Sequence, residues 1–129
     1  TTTSKATNPM KLSLDFILSQ ADYEGIVDSA GVSGGIGYWA MAGCIDNTGE
    51  EGAYKSYLVI DSDDEESSYS LTRDKVEQAI AQLFLKRPLN GYYMSAIDML
   101  VLQGESSNVG ADIADAIIQQ ACFGEVIYG

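Results

Sequence analysis

Three groups of residues have the types and spacing to do chemistry. The first is Asp61-Ser62-Asp63-Asp64-Glu65-Glu66, five carboxylates in six positions. Such a run can hold a cation or present negative charge to a basic partner. A helix-loop-helix calcium site wants Gly at its sixth position and a bidentate Glu at its twelfth. Counted from Asp61 these are Glu66 and Thr72, and a strand precedes the run, so that motif is excluded. A solvated acidic loop between strands remains. The second group is Asp98, Asp112 and Asp115. Asp112 and Asp115 stand at i, i+3 and share one helix face. Paired carboxylates can act as acid and base or hold a metal. Asp112 has a plainer role too, because an anion in a first turn complements the helix dipole. Asp98 interrupts an apolar run between Ile97 and Met99, and an exposed face accounts for it.

The third group is Gly34-Gly35-Ile36-Gly37. A phosphate-cradling glycine loop follows a strand and opens a helix. These glycines follow a helix and open a strand, and no Lys-Ser or Lys-Thr comes after them. They are therefore expected to be structural, with Gly34 and Gly35 turning the chain so that Tyr38 and Trp39 anchor the sheet. The chain has no His, which removes the usual general base, the usual zinc ligand and both His-assisted nucleophile dyads. No catalytic residue, metal or cofactor is assigned, and the chain is expected not to be an enzyme. Cys44 and Cys122 lie in apolar company and are expected to be buried free thiols. A disulfide would require an oxidising compartment.

The elements that must position these groups follow from periodicity. Leu14, Ile17, Leu18 and Ala21 predict a helix over about 11–29, with Ser13 able to cap its start. Beyond Asp22 the pattern is less clean, leaving a break or a second short helix open, and Gly31, Gly34 and Gly35 end it. Alternation predicts a strand over 36–45, apolar on both faces, and a second over 53–60. Ser68 to Leu71 adds a short third strand. Thr72 caps a helix to Arg87, stopped by Pro88. A further helix spans about 92–102, closed by Gly104. Ser107 or Asn108 caps a last one to about Cys122, closed by Gly124. Glu125-Val126-Ile127-Tyr128 is extended and suited to an edge strand. The order predicts an α+β domain over 11–129, a small antiparallel sheet of about three strands with helices packed on one face. Residues 1–10 are polar, have no apolar signal-peptide core and read as a disordered lead or an expression remnant. No apolar run is long enough to span a membrane.

The charge is the most distinctive compositional fact. The 129 residues carry 19 acidic and 7 basic side chains, net -12. It is uneven: residues 46–66 hold eight acids against one Lys, and residues 88–129 hold five acids and no base. Such a surface repels nucleic acid and anionic lipid, so direct nucleic-acid or membrane binding is disfavoured. It attracts a basic protein surface. Eight tyrosines, among them Tyr54, Tyr57, Tyr69, Tyr92, Tyr93 and Tyr128, lie beside the acidic segments. Tyrosine with carboxylate suits an Arg-rich partner.

Gly34-Gly35-Ile36-Gly37-Tyr38-Trp39-Ala40, with Ala114-Asp115-Ala116-Ile117-Ile118-Gln119 and the ending Phe123-Gly124-Glu125, resembles a family of small, acidic, uncharacterised bacteriophage and prophage proteins. The likeness covers the two ends of the chain and carries no catalytic residues. It implies a product acting in the bacterial cytoplasm. With the charge, it motivates one reading first: an interaction protein whose carboxylates mimic DNA and inhibit a host nucleic-acid-binding or defence protein. Glu50, Glu51, Asp61, Asp63, Asp64, Glu65 and Glu66 would carry that contact. A structural or assembly module forming a homodimer ranks second. A carboxylate enzyme using a divalent cation ranks last.

Overall fold

The computed structural model describes residues 15–31, 35–47, 54–61 and 64–128, the side chains of 41–47, 54–58 and 65 excepted. The predicted lead over 1–10, the helix start over 11–14, and Gly34, Glu50, Glu51 and Asp63 lie outside the described residues. The described chain runs α1 (Gln20–Ser29), β1 (Ala40–Asn47), β2 (Tyr54–Asp61), β3 (Asp64–Thr72), α2 (Arg73–Lys86), α3 (Gly91–Gln103) and α4 (Ala111–Phe123). It is an α+β fold. The three strands form one antiparallel sheet in the order β1-β2-β3.

The register sets which face of the sheet meets the helices. Ala40 pairs with Asp61, Val59 with Tyr69, and Tyr57 with Leu71. Directly paired residues share a face, and alternation keeps Val59, Asp61, Tyr69 and Leu71 on the same one. Val59, Asp61 and Leu71 are buried, whereas Ser68 and Ser70, on the opposite face, are exposed. Helices α2 and α4 both reach β3, and α4 packs on α2 and α1. The core is continuous from Leu18 and Tyr23 through Val59, Leu71 and Ile80 to Ile97 and Ile117.

α4 is the most enclosed helix. Ile113, Ala114, Ala116, Ile117, Ile118, Gln119 and Gln120 are all buried. Each fully buried Ile stabilises the fold by about 1.5–3 kcal/mol. Two buried glutamines on such a helix need partners, since an unpaired buried amide is costly. Gln120 donates to Gln82 Oε1 at 2.7 Å and to the Gly124 carbonyl at 3.0 Å. The partners of Gln119 lie in the site described below.

The helix ends follow local chemistry. Thr72 Oγ1 accepts from Lys75 N–H, and Asn90 Oδ1 from Tyr93 N–H. Each satisfies one orphan donor of a first turn. Gly104 and Gly124 end α3 and α4 at φ 66° and 77°. Arg87 ends α2 with φ 52°, a conformation that usually falls to glycine. Its guanidinium is tied down: Nη1 and Nη2 donate to Asp98 Oδ1 and Oδ2 at 3.0 and 2.7 Å, and Nη1 also reaches the Phe84 carbonyl. Asp98 is therefore a bidentate partner of Arg87, and a plain exposed face does not describe it.

Five element boundaries depart from the sequence reading. The third strand, expected from Ser68, begins at Asp64. Residues 15–19 are not helical. Ser19 is the N-cap of α1 and accepts from Asp22 N–H. The stretch before it is held by α2 instead: Leu18 N–H donates to Glu77 Oε1, and Arg73 donates to the Leu18 carbonyl, both at 2.8 Å. Ile17, counted on the apolar stripe, is 78% exposed. The first strand begins at Ala40 because Ile36–Trp39 fold into turns, with Trp39 N–H and Ala40 N–H both donating to the Ile36 carbonyl. Tyr38 and Trp39 thus precede the sheet. The last helix starts at Ala111 with Gly110 as its cap, Ser107 and Asn108 forming a turn ahead of it. Glu125–Tyr128 adds no strand. Gly124 turns the chain back, and the segment lies along α4. Among the described residues no helix is long and apolar enough to cross a membrane.

Candidate functional site

Asp115 projects from the middle of α4 toward the turn that precedes β1. Gly35 makes the approach of that turn feasible. A Cβ at position 35 would collide with the Ala111 carbonyl and crowd the Ala30 backbone, so only glycine fits. The turn then presents two consecutive aromatic residues to one carboxylate. Tyr38 Oη donates to Asp115 Oδ2 at 2.7 Å, and Trp39 Nε1 donates to Asp115 Oδ1 at 2.8 Å. Trp39 is buried, so its indole N–H must find an acceptor inside the protein. Tyr38 is 59% exposed and covers the carboxylate from the solvent side.

Gln119, one turn along α4, completes the arrangement with both ends of its amide. Nε2 donates to Asp115 Oδ1 at 2.9 Å and reaches the Tyr128 carbonyl at 3.2 Å and Tyr38 Oη at 3.3 Å. Oε1 accepts from Ile127 N–H and Tyr128 N–H, both at 2.8 Å. One buried side chain thereby takes the place of a strand partner for residues 127–128. The Tyr128 ring stacks on Trp39, with centroids 5.4 Å apart and planes 16° apart. Phe123 packs on Trp39, Tyr128 and Tyr69 at centroid distances of 5.3, 5.9 and 5.2 Å. Tyr128 Oη donates to the Asp61 carboxylate, at 3.1 Å to Oδ2 and 3.2 Å to Oδ1.

Beside this network lies a cleft of about 490 Å³, between α3, α4, the Tyr38 turn and the 126–128 segment. Its charged lining consists of Asp112 and Asp115, and its rings are those of Tyr38, Tyr93 and Tyr128. Among the described residues no Lys or Arg lines it, and none pairs with either carboxylate. Among them the donors to Asp115 are all neutral, so they solvate its charge without cancelling it. Burial and the Asp115 carboxylate push the Tyr38 phenol up to about 12. Burial, then the charges of Asp112 and Asp115, push the Tyr93 phenol up as well. Burial is the larger cause of both shifts, and the carboxylates add to it in the same direction.

The acidic hairpin is organised differently from the expected solvated loop. Asp61 is the last residue of β2, and 64–66 open β3. Asp61 is 8% exposed and engaged by Tyr128, so it is not available to a partner. Asp64 braces the hairpin, accepting from Glu66 N–H at 3.2 Å and Ser67 Oγ at 2.7 Å. Glu66 is exposed. Among the described residues no three His, Cys, Asp or Glu side chains converge as a metal site. Cys122 is a free, half-buried thiol, and burial pushes it up to about 12.

The structure therefore gathers Tyr38, Trp39 and Asp115, and links one hairpin carboxylate, Asp61, to them through Tyr128. Gln119 carries no sequence signal of its chemistry beyond being one of two adjacent amides, Gln119-Gln120, in an otherwise apolar stretch. No family model, curated protein or solved structure matches the chain significantly.

Proposed function

We propose that this chain is a non-catalytic interaction protein that engages a basic protein surface, with the cleft beside Asp112 and Asp115 as its anchoring site. The observation that carries the reading is the pair of uncancelled carboxylates in a tyrosine-lined cleft of ligand size. A cleft of this chemistry attracts cations and offers them aromatic faces and acceptors together. The chain's net charge of -12, of which these two carboxylates are part, steers a basic partner toward it. The sharper form, DNA mimicry against a host nucleic-acid-binding protein, draws support from that charge and from the exposed Glu66. Asp61 lends it none, being engaged by Tyr128.

Isothermal titration against basic peptides and basic DNA-binding proteins tests the reading. Binding at low salt that weakens steeply as salt rises is expected, and Asp112→Asn is expected to weaken it further. Absence of binding to every basic ligand at low salt would remove it.

A further inference from the structure

We infer that the cleft formed by Tyr38, Tyr93, Asp112 and Asp115 takes the guanidinium of a partner's arginine side chain in preference to a lysine ammonium. This deepens, and rests on, the binding role proposed above. Asp112 and Asp115 stand one helical turn apart on α4, so their carboxylates are neighbours on one face. A planar fork of five donors can bridge two such acceptors, whereas an ammonium meets them as a point charge. The tyrosine rings add flat surfaces, and a delocalised, weakly hydrated cation stacks on them at smaller desolvation cost.

Among the described residues the site has no third acidic or thiol ligand with which to close a shell around a metal ion. Its acceptors suit an organic cation that brings several donors of its own. The chain already shows this mode once, elsewhere on its surface. Arg87 sits with both terminal nitrogens on Asp98 and its guanidinium carbon 5.7 Å from the centre of the Phe84 ring. The cleft offers the same combination of carboxylate and ring with no arginine of its own to fill it. Tyr38 and Ile127, 59% and 51% exposed at the cleft, supply a rim against which the aliphatic stem of an arginine can lie.

The test compares nona-arginine with nona-lysine, two peptides of equal charge, against the full chain at low salt. Trp39, the single tryptophan, donates to Asp115 and reports occupancy through its fluorescence. Nona-arginine is expected to bind at least about fivefold more tightly than nona-lysine. Asp112→Asn, at an exposed first-turn position, is expected to bring the two peptides to equal affinity without unfolding the chain. Tyr93→Leu is expected to narrow the gap in the same direction. Equal affinities for the two peptides with the wild-type chain would overturn the arginine assignment and leave the broader binding role standing. If neither peptide binds, both fail.

Discussion

Replacing Asp115 by Ala removes the acceptor on which the turn, the last helix and the C-terminal segment converge. Its three donors are not equivalent, and the cost can be worked from each. The Trp39 indole N–H is buried and among the described residues donates to Asp115 alone, so losing its partner strands it, at about 1–3 kcal/mol. Gln119 Nε2 keeps the Tyr128 carbonyl at 3.2 Å and loses less. Tyr38 is exposed enough to donate to water instead. The sum is about 3 kcal/mol, with the Trp39 contribution dominant. For a chain of this size that lowers Tm by roughly 10 °C. Asp115→Asn behaves differently. Its oxygen can occupy the Oδ1 position and keep Trp39 and Gln119, while its amide faces Tyr38, whose hydroxyl can turn to accept. The expected cost is about 1 kcal/mol. Urea denaturation followed by far-UV circular dichroism measures both. If Asp115→Ala costs no more than Asp115→Asn, the geometry is not what stabilises this corner.

Other outcomes follow from the same atoms. Tyr38 is held protonated in the folded chain up to about pH 12, against about 10 when unfolded. Its contribution is therefore complete below pH 10 and lost as pH climbs from 10 to 12. At 59% exposure solvent screening cuts what this shift contributes to about 1 kcal/mol. Urea midpoints at pH 9 and pH 11.5 should thus fall less in Tyr38→Phe than in wild type, and identical declines would contradict this. Gln119→Leu keeps the volume but leaves Ile127 N–H and Tyr128 N–H without their acceptor. Amide exchange at those two positions should accelerate at least about tenfold, with the α2 amides unchanged. Cys122, pushed up from 9.0 to about 12, is a thiolate about 10³-fold less often than an ordinary thiol at neutral pH. In a Cys44→Ser background it should react with a disulfide reagent far more slowly folded than in urea, and equal rates would show that the thiol is not sheltered.

How much was legible depended on whether the signal was local. α2, α3 and the end of α4 follow from Thr72, Pro88, Gly104 and Gly124, residues whose effect acts within one turn. The three-stranded sheet follows from alternation and short links. The stripe extends the first helix too far because Ile17 and Leu18 fit it, while the contacts that hold residue 18 come from Arg73 and Glu77. The composition around Asp61 suggests a solvated acid. Its alternation with Val59 already turned it to the covered face of β2, and that parity outranked the charge. Asp115 drew attention as a partner of Asp112, one turn away. Its bonded partners Tyr38 and Trp39 lie 77 and 76 residues earlier, and the polar tip of an aromatic side chain leaves no periodic trace. The carbonyl that Gly35 must clear belongs to Ala111, far along the chain, so the reason for a glycine at that position leaves no local trace.

The hydrogen bond from Trp39 to Asp115 closes a loop of 76 residues. A hairpin and a pair of neighbouring helices close far shorter ones, and closure entropy grows with the intervening length. The order of events in folding follows from this difference. Helices and hairpin can condense first from near contacts, and the aromatic corner seals only once α4 has docked. A contact absent from the transition state leaves the folding rate alone and acts on the reverse step. The Asp115 corner is thus a latch on unfolding: it governs how long the native chain persists, and contributes little to how fast it is reached.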